Sequence, residues 1–221
     1  MTTKMRHWLI VLFFAFTSGF VYSQKPHLIS GKYEWLDIAF DDSSKYLTGF
    51  YSGKDGWNKE TKSYDWYCQF FCEGSLKKDT IHIIVYSNRE SLSDNDIIDE
   101  KNFELGVKGN IVIKTDSSFQ IEFNIALDAS CYRVLRGIEN GGLAFNLSKR
   151  TKWKQIRIIS DKTYFYTEPV ETKKTNSYLL KADRIYVLEN RKDWVYAEFI
   201  GKSTTKGWIN KKSLYKLKNE L

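Results

Sequence analysis

The chain has 221 residues, of which 42% are apolar, 16% aromatic and 28% charged, with 13 Gly and only 2 Pro. This composition excludes an intrinsically disordered, collagen-like or low-complexity chain, and 3 Cys are too few for a small scaffold held by disulfides. The aromatic residues are 14 Phe, 14 Tyr and 7 Trp. Aromatic side chains favour strands, so the composition indicates β-structure.

Residues 1–23 have the pattern of a secretory signal peptide. Lys4 and Arg6 precede an apolar run at 8–16, and Val21 and Ser23 suit positions −3 and −1 of a cleavage site. The apolar stretch is interrupted and is shorter than the ~20 residues that a membrane span needs. We therefore expect a periplasmic or secreted bacterial protein with no transmembrane segment after signal cleavage.

Residues 24–152 have the pattern of an antiparallel barrel or sandwich. Alternating apolar residues, with mostly short connections, predict strands at 31–40, 46–51, 66–72, 80–86, 109–115, 119–125 and 143–147. A polar loop is predicted at 53–63 and a short helix or turn within 126–135. Strands that follow one another through short turns favour an up-and-down order.

Three cysteines remain after removal of the signal peptide. Cys68 and Cys72 share one face of a predicted strand, ~13 Å apart, which is too far for a disulfide between them. In an exported protein we expect Cys68 or Cys72 to bond Cys131, with Cys68 favoured because Cys72 borders a Glu-Gly turn. Three buried thiols are the alternative. No metal site is expected, since only His27 and His82 could add to a zinc ligand set.

Charge is unevenly divided along the chain. Residues 151–221 carry 16 Lys and Arg against 8 Asp and Glu, a net charge of +8, whereas residues 24–150 have a net charge of −3. This asymmetry suggests separate modules and an acidic partner for the basic one. Outside a cell that partner is an anionic glycopolymer, a lipid surface or an acidic protein, and not a nucleic acid. The alternative is that the charge serves only solubility.

Residues 153–221 contain short strands typical of a small barrel. In order along the chain they include Tyr-Leu-Leu-Lys-Ala-Asp at 178–183, Val-Leu-Glu at 187–189, Asp-Trp-Val at 193–195, and Gly-Trp-Ile at 207–209 followed by Leu214. This series resembles the bacterial SH3 (SH3b) domain and implies an all-β chain that ends in a small SH3-like barrel. The series departs from the family at Ala182, where Gly is usual. The resemblance covers the C-terminal third only.

The resemblance implies a recognition module of exported proteins, which binds peptidoglycan or proteins. Alternation places Trp194 and Tyr196 on the face opposite Val195 and Ala197, so we expect these two rings to be partly exposed. The predicted binding residues are the aromatic Tyr164, Tyr166, Trp194, Tyr196, Trp208 and Tyr215 with the basic Lys206, Lys211 and Lys212. Aromatic faces stack on sugars and peptides, and lysines pair with carboxylates. The alternative is that these rings cap the ends of a tiny barrel.

The sequence contains no signature of catalysis. His82 is expected on a strand surface, and the acidic stretch at 94–100 lacks the Gly and distal Glu of a calcium loop. We therefore predict an exported non-catalytic binding protein, without a cofactor, whose partner is peptidoglycan or an envelope protein. The alternatives are a carrier of a small apolar ligand in the N-terminal barrel and a cell-wall hydrolase. We also expect the C-terminal module to fold alone.

Overall fold

The computed structural model describes residues 27–87, 107–124, 129–135 and 142–217. The predicted all-β class is confirmed, because these residues form fifteen strands in two antiparallel sheets, with one short α-helix and two 3-10 turns. The predicted signal peptide and the acidic stretch at 94–100 lie outside the described residues.

The first sheet has an up-and-down order, as predicted. Its strands are β1 (Gly31–Tyr33), β2 (Leu36–Asp41), β3 (Tyr46–Asn58), β4 (Ser63–Lys77), β5 (Thr80–Ser87), β6 (Val107–Thr115), β7 (Ser118–Phe123), β8 (Leu143–Asn146) and β9 (Lys149–Arg150). Only two residues separate β8 at one edge from β9, which pairs with β1 at the other. There Leu147 N–H donates to the Ser117 carbonyl and Ser148 N–H to the Lys32 carbonyl. The sheet is therefore one curled, barrel-like layer and not a sandwich.

Aromatic and branched side chains fill the inside of the first sheet. The Tyr33 ring of β1 lies 4.6 Å from the Phe119 ring of β7, although these strands belong to opposite halves of the sheet. Tyr51 stacks on Phe70 at 4.9 Å and meets Phe145 edge-on at 6.3 Å. All five rings are buried. Their direct contact argues against a ligand chamber between these side chains.

A disulfide attaches the only helix in the described part of the chain to the first sheet. It joins Cys68 on β4 to Cys131 on α1 (Ala129–Val134), with the Cα atoms 4.5 Å apart. Cys68 is the partner that the sequence favours, and Cys72 remains a buried thiol. Burial raises the pKa of Cys72 to about 12, and the charge of Glu73 adds to the shift. A thiol in this environment is inert near neutral pH.

The predicted strand at 31–40 is wrong, because the chain turns in the middle of it. Glu34 adopts φ 54° and, with Trp35, connects β1 to β2 as a two-residue hairpin turn. Tyr33 and Leu36 then pair across the hairpin and are both buried, whereas the Trp35 side chain is 54% exposed. The sequence does not reveal the turn, because Glu34 and Trp35 stand where a hairpin turn usually has Gly or Asn.

The predicted loop at 53–63 is also wrong, because most of it is strand. β3 continues to Asn58, and β4 pairs with it from Ser63 onward. Cross-strand contacts hold this extension: the Trp57 and Tyr64 rings are 4.8 Å apart, and Lys54 Nζ lies 4.2 Å from the Tyr64 ring centre. These pairs stabilise a strand composed of polar and glycine residues that looks like a loop in isolation.

The second sheet contains six strands in the order β10-β13-β14-β15-β11-β12. They are β10 (Gln155–Ile158), β11 (Thr163–Tyr166), β12 (Lys174–Leu179), β13 (Arg184–Arg191), β14 (Trp194–Ile200) and β15 (Thr204–Asn210). The C-terminal segment returns to β10, where Tyr215 N–H donates to the Ile158 carbonyl. Inside this curled sheet lies a second core that includes Phe165, Val187, Val195 and Ile209.

The turn before β13 has an unusual backbone at Ala182. Its φ is 70°, a left-handed conformation that glycine adopts without strain. The Leu180 N–H donates to Asp183 Oδ2 at 2.7 Å, and the Ala182 N–H donates to the Ile159 carbonyl. Ala182 therefore adopts the turn conformation for which the SH3b family usually has Gly. The two hydrogen bonds stabilise this turn.

A third core, here called the junction, joins the two sheets. The outer face of the first sheet contributes Ala39, Tyr46, Phe50, Phe71 and Tyr86, and the second module contributes Trp153, Ile156, Ile158, Tyr186 and Leu217. Two buried polar contacts cross the junction: Ile156 N–H donates to Thr48 Oγ1 at 2.6 Å, and the Tyr186 hydroxyl donates to Asp37. Independent folding of the C-terminal module stays a prediction, and it would require this apolar layer to face solvent.

Candidate ligand-binding surface

β14 divides its side chains between the two faces of the second sheet. Val195 and Ala197 point into the core and are fully buried, whereas Trp194 and Tyr196 point outward and are half-buried. On the neighbouring β15, Trp208 has the same outward position, because it lies directly opposite Tyr196. The face predicted by alternation is therefore present.

Four outward rings form one continuous patch, here called the aromatic surface: Tyr166, Trp194, Tyr196 and Trp208. The Tyr166 and Trp194 ring centres are 4.9 Å apart, and those of Tyr196 and Trp208 are 5.3 Å apart. Tyr166 is the register partner of Trp208, so the two pairs adjoin. The Arg191 guanidinium lies 4.5 Å from the centre of the Trp208 ring.

Trp208 occupies the middle of the aromatic surface and is only 7% exposed. Its strand lies between β11 and β14, and Tyr196 and Arg191 lie against the indole. This differs from the accessible position expected of a contact residue. Trp208 supports the rings that a ligand can reach, which are Tyr166, Trp194 and Tyr196.

Two predicted aromatic residues make no ring contact with this surface. Tyr164 packs against the Tyr178 ring at 6.2 Å, with Lys174 Nζ 3.5 Å from its centre. Tyr164 lies on the same outward face of β11 as Tyr166, but its ring contacts Tyr178 of β12 and none of the four rings of the aromatic surface. Tyr215 packs against the junction, and its carbonyl accepts a hydrogen bond from Arg157 Nη2 at 2.8 Å. The six predicted aromatic residues therefore do not form one set of rings in contact.

The predicted lysines lie at two opposite ends of the aromatic surface. Lys211 and Lys212 follow β15 at the Trp194 end, where Lys211 N–H donates to the Asp193 carbonyl. Lys206 lies at the other end, two residues before Trp208 on the same face of β15.

Glu198 anchors the Lys206 end. It accepts hydrogen bonds from Trp153 Nε1 at 2.7 Å and from Lys206 Nζ at 2.9 Å. Burial opposes ionisation of Glu198, but these two hydrogen bonds and the charges of Lys206 and Lys149 together lower its pKa. The hydrogen bond that Lys206 donates to Glu198, followed by the charge of that carboxylate, raises the pKa of Lys206. Both groups are therefore ionised at neutral pH.

Beyond Glu198 the outer face of β14 enters a cleft between the two sheets, here called the lysine cleft. The cleft has a volume of about 630 Å³, and its charged or hydrogen-bonding walls include Lys32, Lys149, Lys152, Lys206, Glu198 and Trp153. Sequence reasoning missed all of these except Lys206. Alternation along β14 predicts that Glu198 lies on the same face as Tyr196. The lysines of the first sheet reach the lysine cleft only because the junction packs the two sheets together.

The other described cleft surrounds a buried carboxylate on the first sheet. Glu73 accepts hydrogen bonds from the Tyr46 and Tyr86 hydroxyls and lines a cleft of about 240 Å³. His82 lies at its rim and is exposed, as predicted for a strand-surface residue, with Nδ1 2.9 Å from Asn110 Oδ1. Among the described residues no group of three or more His, Cys, Asp or Glu is placed to hold a metal ion.

Within the described ranges, no helix has the length and apolar composition of a membrane span. Comparisons of the chain with protein-family models, with curated proteins and with solved structures found no match.

Proposed function

We propose that the protein is an exported, non-catalytic binding protein that contacts peptidoglycan through the aromatic surface of an SH3b-like second module. An envelope protein is the competing partner. The observation that carries the proposal is the continuous contact of Tyr166, Trp194 and Tyr196 around Trp208 on an outward face.

The rings of the aromatic surface are not needed to fill the barrel. The inner face of the same strands already buries Phe165, Val195, Ala197 and Ile209 in a complete core. The alternative that the rings merely cap the barrel therefore does not explain their arrangement. Large, rigid rings that are half exposed supply contact area at a small cost in conformational entropy, which is typical of recognition surfaces.

Positive charge surrounds these rings. Lys211 and Lys212 lie at one end and Lys206 at the other, within a region of net charge +8. Exposed charges of one sign speed the encounter with an oppositely charged partner, and aromatic faces stack on sugar rings. Peptidoglycan offers both sugar rings and carboxylates, so it matches the two kinds of group that this surface presents.

Co-sedimentation of the mature protein with purified peptidoglycan tests the proposal. We expect wild-type protein to sediment at low salt and to retain part of its binding at high salt, because stacking is not screened. Trp194→Ala should reduce sedimentation, whereas Trp57→Ala, which removes a more exposed indole from the first sheet, should not. Capture of an envelope protein without binding to peptidoglycan would support the competing partner, and no difference between the two variants would contradict the role of the aromatic surface.

A further inference from the structure

The lysine cleft gathers charge from parts of the chain that are distant in sequence. Lys32 lies on β1, Lys149 on β9 and Lys206 on β15, and Lys152 lies between the two sheets. With Glu198, the cleft walls carry four lysines and one glutamate. Like charges that converge on a concave site focus the potential and attract anions.

The described carboxylates neutralise only part of this positive charge. The Glu198 carboxylate already accepts hydrogen bonds from Lys206 and Trp153. Lys32 Nζ comes no closer than 4.0 Å to Asp37 Oδ1. Lys149 and Lys152 form no ion pair with any described residue. The charge of Lys149 acts on Glu198 from beyond ion-pair distance, so the Lys149 and Lys152 ammonium groups can each bind an incoming anion.

The lysine cleft continues directly from the aromatic surface. The pair Glu198–Lys206 is the next outward pair after Tyr196–Trp208 on β14 and β15. Two residues along a strand correspond to about 7 Å. A chain that stacks on Tyr196 therefore reaches the cleft without leaving the sheet.

We propose that the lysine cleft binds the acidic groups of an anionic polysaccharide whose sugar rings stack on the aromatic surface. This inference rests on the proposed function, since it assigns the chemistry of the ligand at the same face. Lys149 and Lys152 bind the carboxylates or phosphates, and Glu198 fixes Lys206 at the entrance.

The shape of the cleft favours a polymer chain over a lipid surface. The lysines come from both sheets and converge on a recess beside the partly exposed Ile200. A flat bilayer cannot bring its headgroups into a recess between two sheets, whereas a single strand of polymer can enter it. The ligand therefore combines rings with anionic groups along one narrow chain.

Isothermal titration of the mature protein with a hexamer of galacturonate and with its methyl ester tests the inference. The two probes have the same rings, but only the first has charges. Inorganic pyrophosphate serves as an anion without rings. Three variants are compared with the wild type: Lys149→Gln with Lys152→Gln, Lys59→Gln with Lys62→Gln, and Trp194→Ala. The second double variant removes the same charge from the exposed turn between β3 and β4.

Wild-type protein should bind the acid hexamer more tightly than its ester. The cleft double variant should lose roughly fivefold in affinity for the acid hexamer and most of its salt dependence, while the turn double variant should keep both. Trp194→Ala should weaken both hexamers. Pyrophosphate should bind the wild type weakly and the cleft double variant more weakly still.

Equal affinity of wild-type protein for acid and ester, or equal loss in the two lysine double variants, would overturn the inference. So would binding of pyrophosphate as tightly as the acid hexamer, because rings would then contribute nothing. If neither hexamer binds but peptidoglycan still sediments the protein in a Trp194-dependent manner, the cleft inference fails while the proposed function stands. Loss of that sedimentation effect is what contradicts the proposed function itself.

Discussion

The outer face of the second sheet has two halves with similar composition and different surroundings. On β10 and β13, Ile156, Ile158 and Tyr186 are buried against the first sheet. On β14, Trp194 and Tyr196 have the same outward direction, remain half-exposed and pack on neighbouring rings. An apolar outer face of this sheet therefore contributes to a core where another part of the chain covers it, and is available for binding where it is uncovered.

Glu198 marks the boundary between these halves. It is the register partner of Tyr186 in the covered half, and it follows Tyr196 of the open half along β14. Its hydrogen bonds to Trp153 and Lys206 end the junction with a charged pair. A buried apolar layer therefore gives way, within one strand, to a surface with rings and charges.

Removal of the disulfide in the first sheet, which covers one half, should have the largest effect on stability. Replacing both Cys68 and Cys131 with Ala should lower the free energy of unfolding by about 4 kcal/mol in the loop-entropy model, because the bond closes a long loop. Chemical denaturation measures this loss. Cys72→Ala is the control, since it removes a buried thiol but no cross-link, and an equal loss in both proteins would contradict the structural role of the disulfide.

The two halves should respond differently to truncation. Ile156→Ala should destabilise the protein by about 3 kcal/mol, because it leaves a cavity in the junction. Tyr196→Ala should cost less than about 1 kcal/mol, because the ring is already partly in water. Urea denaturation of both variants compares them under one condition. Similar losses at the two positions would mean that the open half is part of a core.

The contribution of Glu198, at the boundary between the two halves, to the free energy of unfolding should depend on pH. The folded pKa of Glu198 is lowered from 4.5, so its contribution to stability is present at neutral pH and is lost as the pH falls through the lowered value. We expect Glu198→Gln to be less stable than wild type at pH 7 by about 1 kcal/mol or less, because solvent screens part of the interaction. The difference should shrink as the pH falls below about 4.5. A difference independent of pH would show that the charge of Glu198 is irrelevant.

The smallest expected effect on stability concerns the turn at Ala182 in the second sheet. Ala182→Gly should stabilise the protein by roughly 0.5 kcal/mol, because relief of the left-handed strain exceeds the entropy that glycine adds to the unfolded chain. Thermal unfolding at matched protein concentration measures the gain. Glycine in place of Lys181, the preceding residue, which lacks a positive φ, should instead be neutral or destabilising, and the opposite order would contradict the turn geometry.

The parts of the fold that the sequence predicts are those set by neighbours along the chain. Alternation in Trp-Val-Tyr-Ala places Trp194 and Tyr196 outward, and the strand predicted at 80–86 lies within β5 (Thr80–Ser87). The spacing of Cys68 and Cys72 along one predicted strand excludes a bond between them and therefore predicts a link to Cys131. In each case the information lies within one strand or one residue type.

The parts that the sequence does not predict depend on contacts between distant segments. Ile156 resembles any buried strand residue, and nothing in its sequence neighbours shows that it shares a core with Phe50 and Phe71. Lys32 and Lys149 reach Lys206 only because the junction brings the sheets together. The extension of β3 depends on Trp57 facing Tyr64, a pairing that exists only once the hairpin has formed.

The central claim is that a ligand contacts the open half of the second sheet. The indole N–H signals of the tryptophans in ¹⁵N-labelled mature protein, followed by NMR during titration with soluble peptidoglycan fragments, test it most directly. We expect shifts at Trp194 and Trp208, with the exposed Trp35 and Trp57 of the first sheet unchanged. Shifts confined to Trp35 or Trp57, or none at Trp194 in a sample that binds, would contradict it.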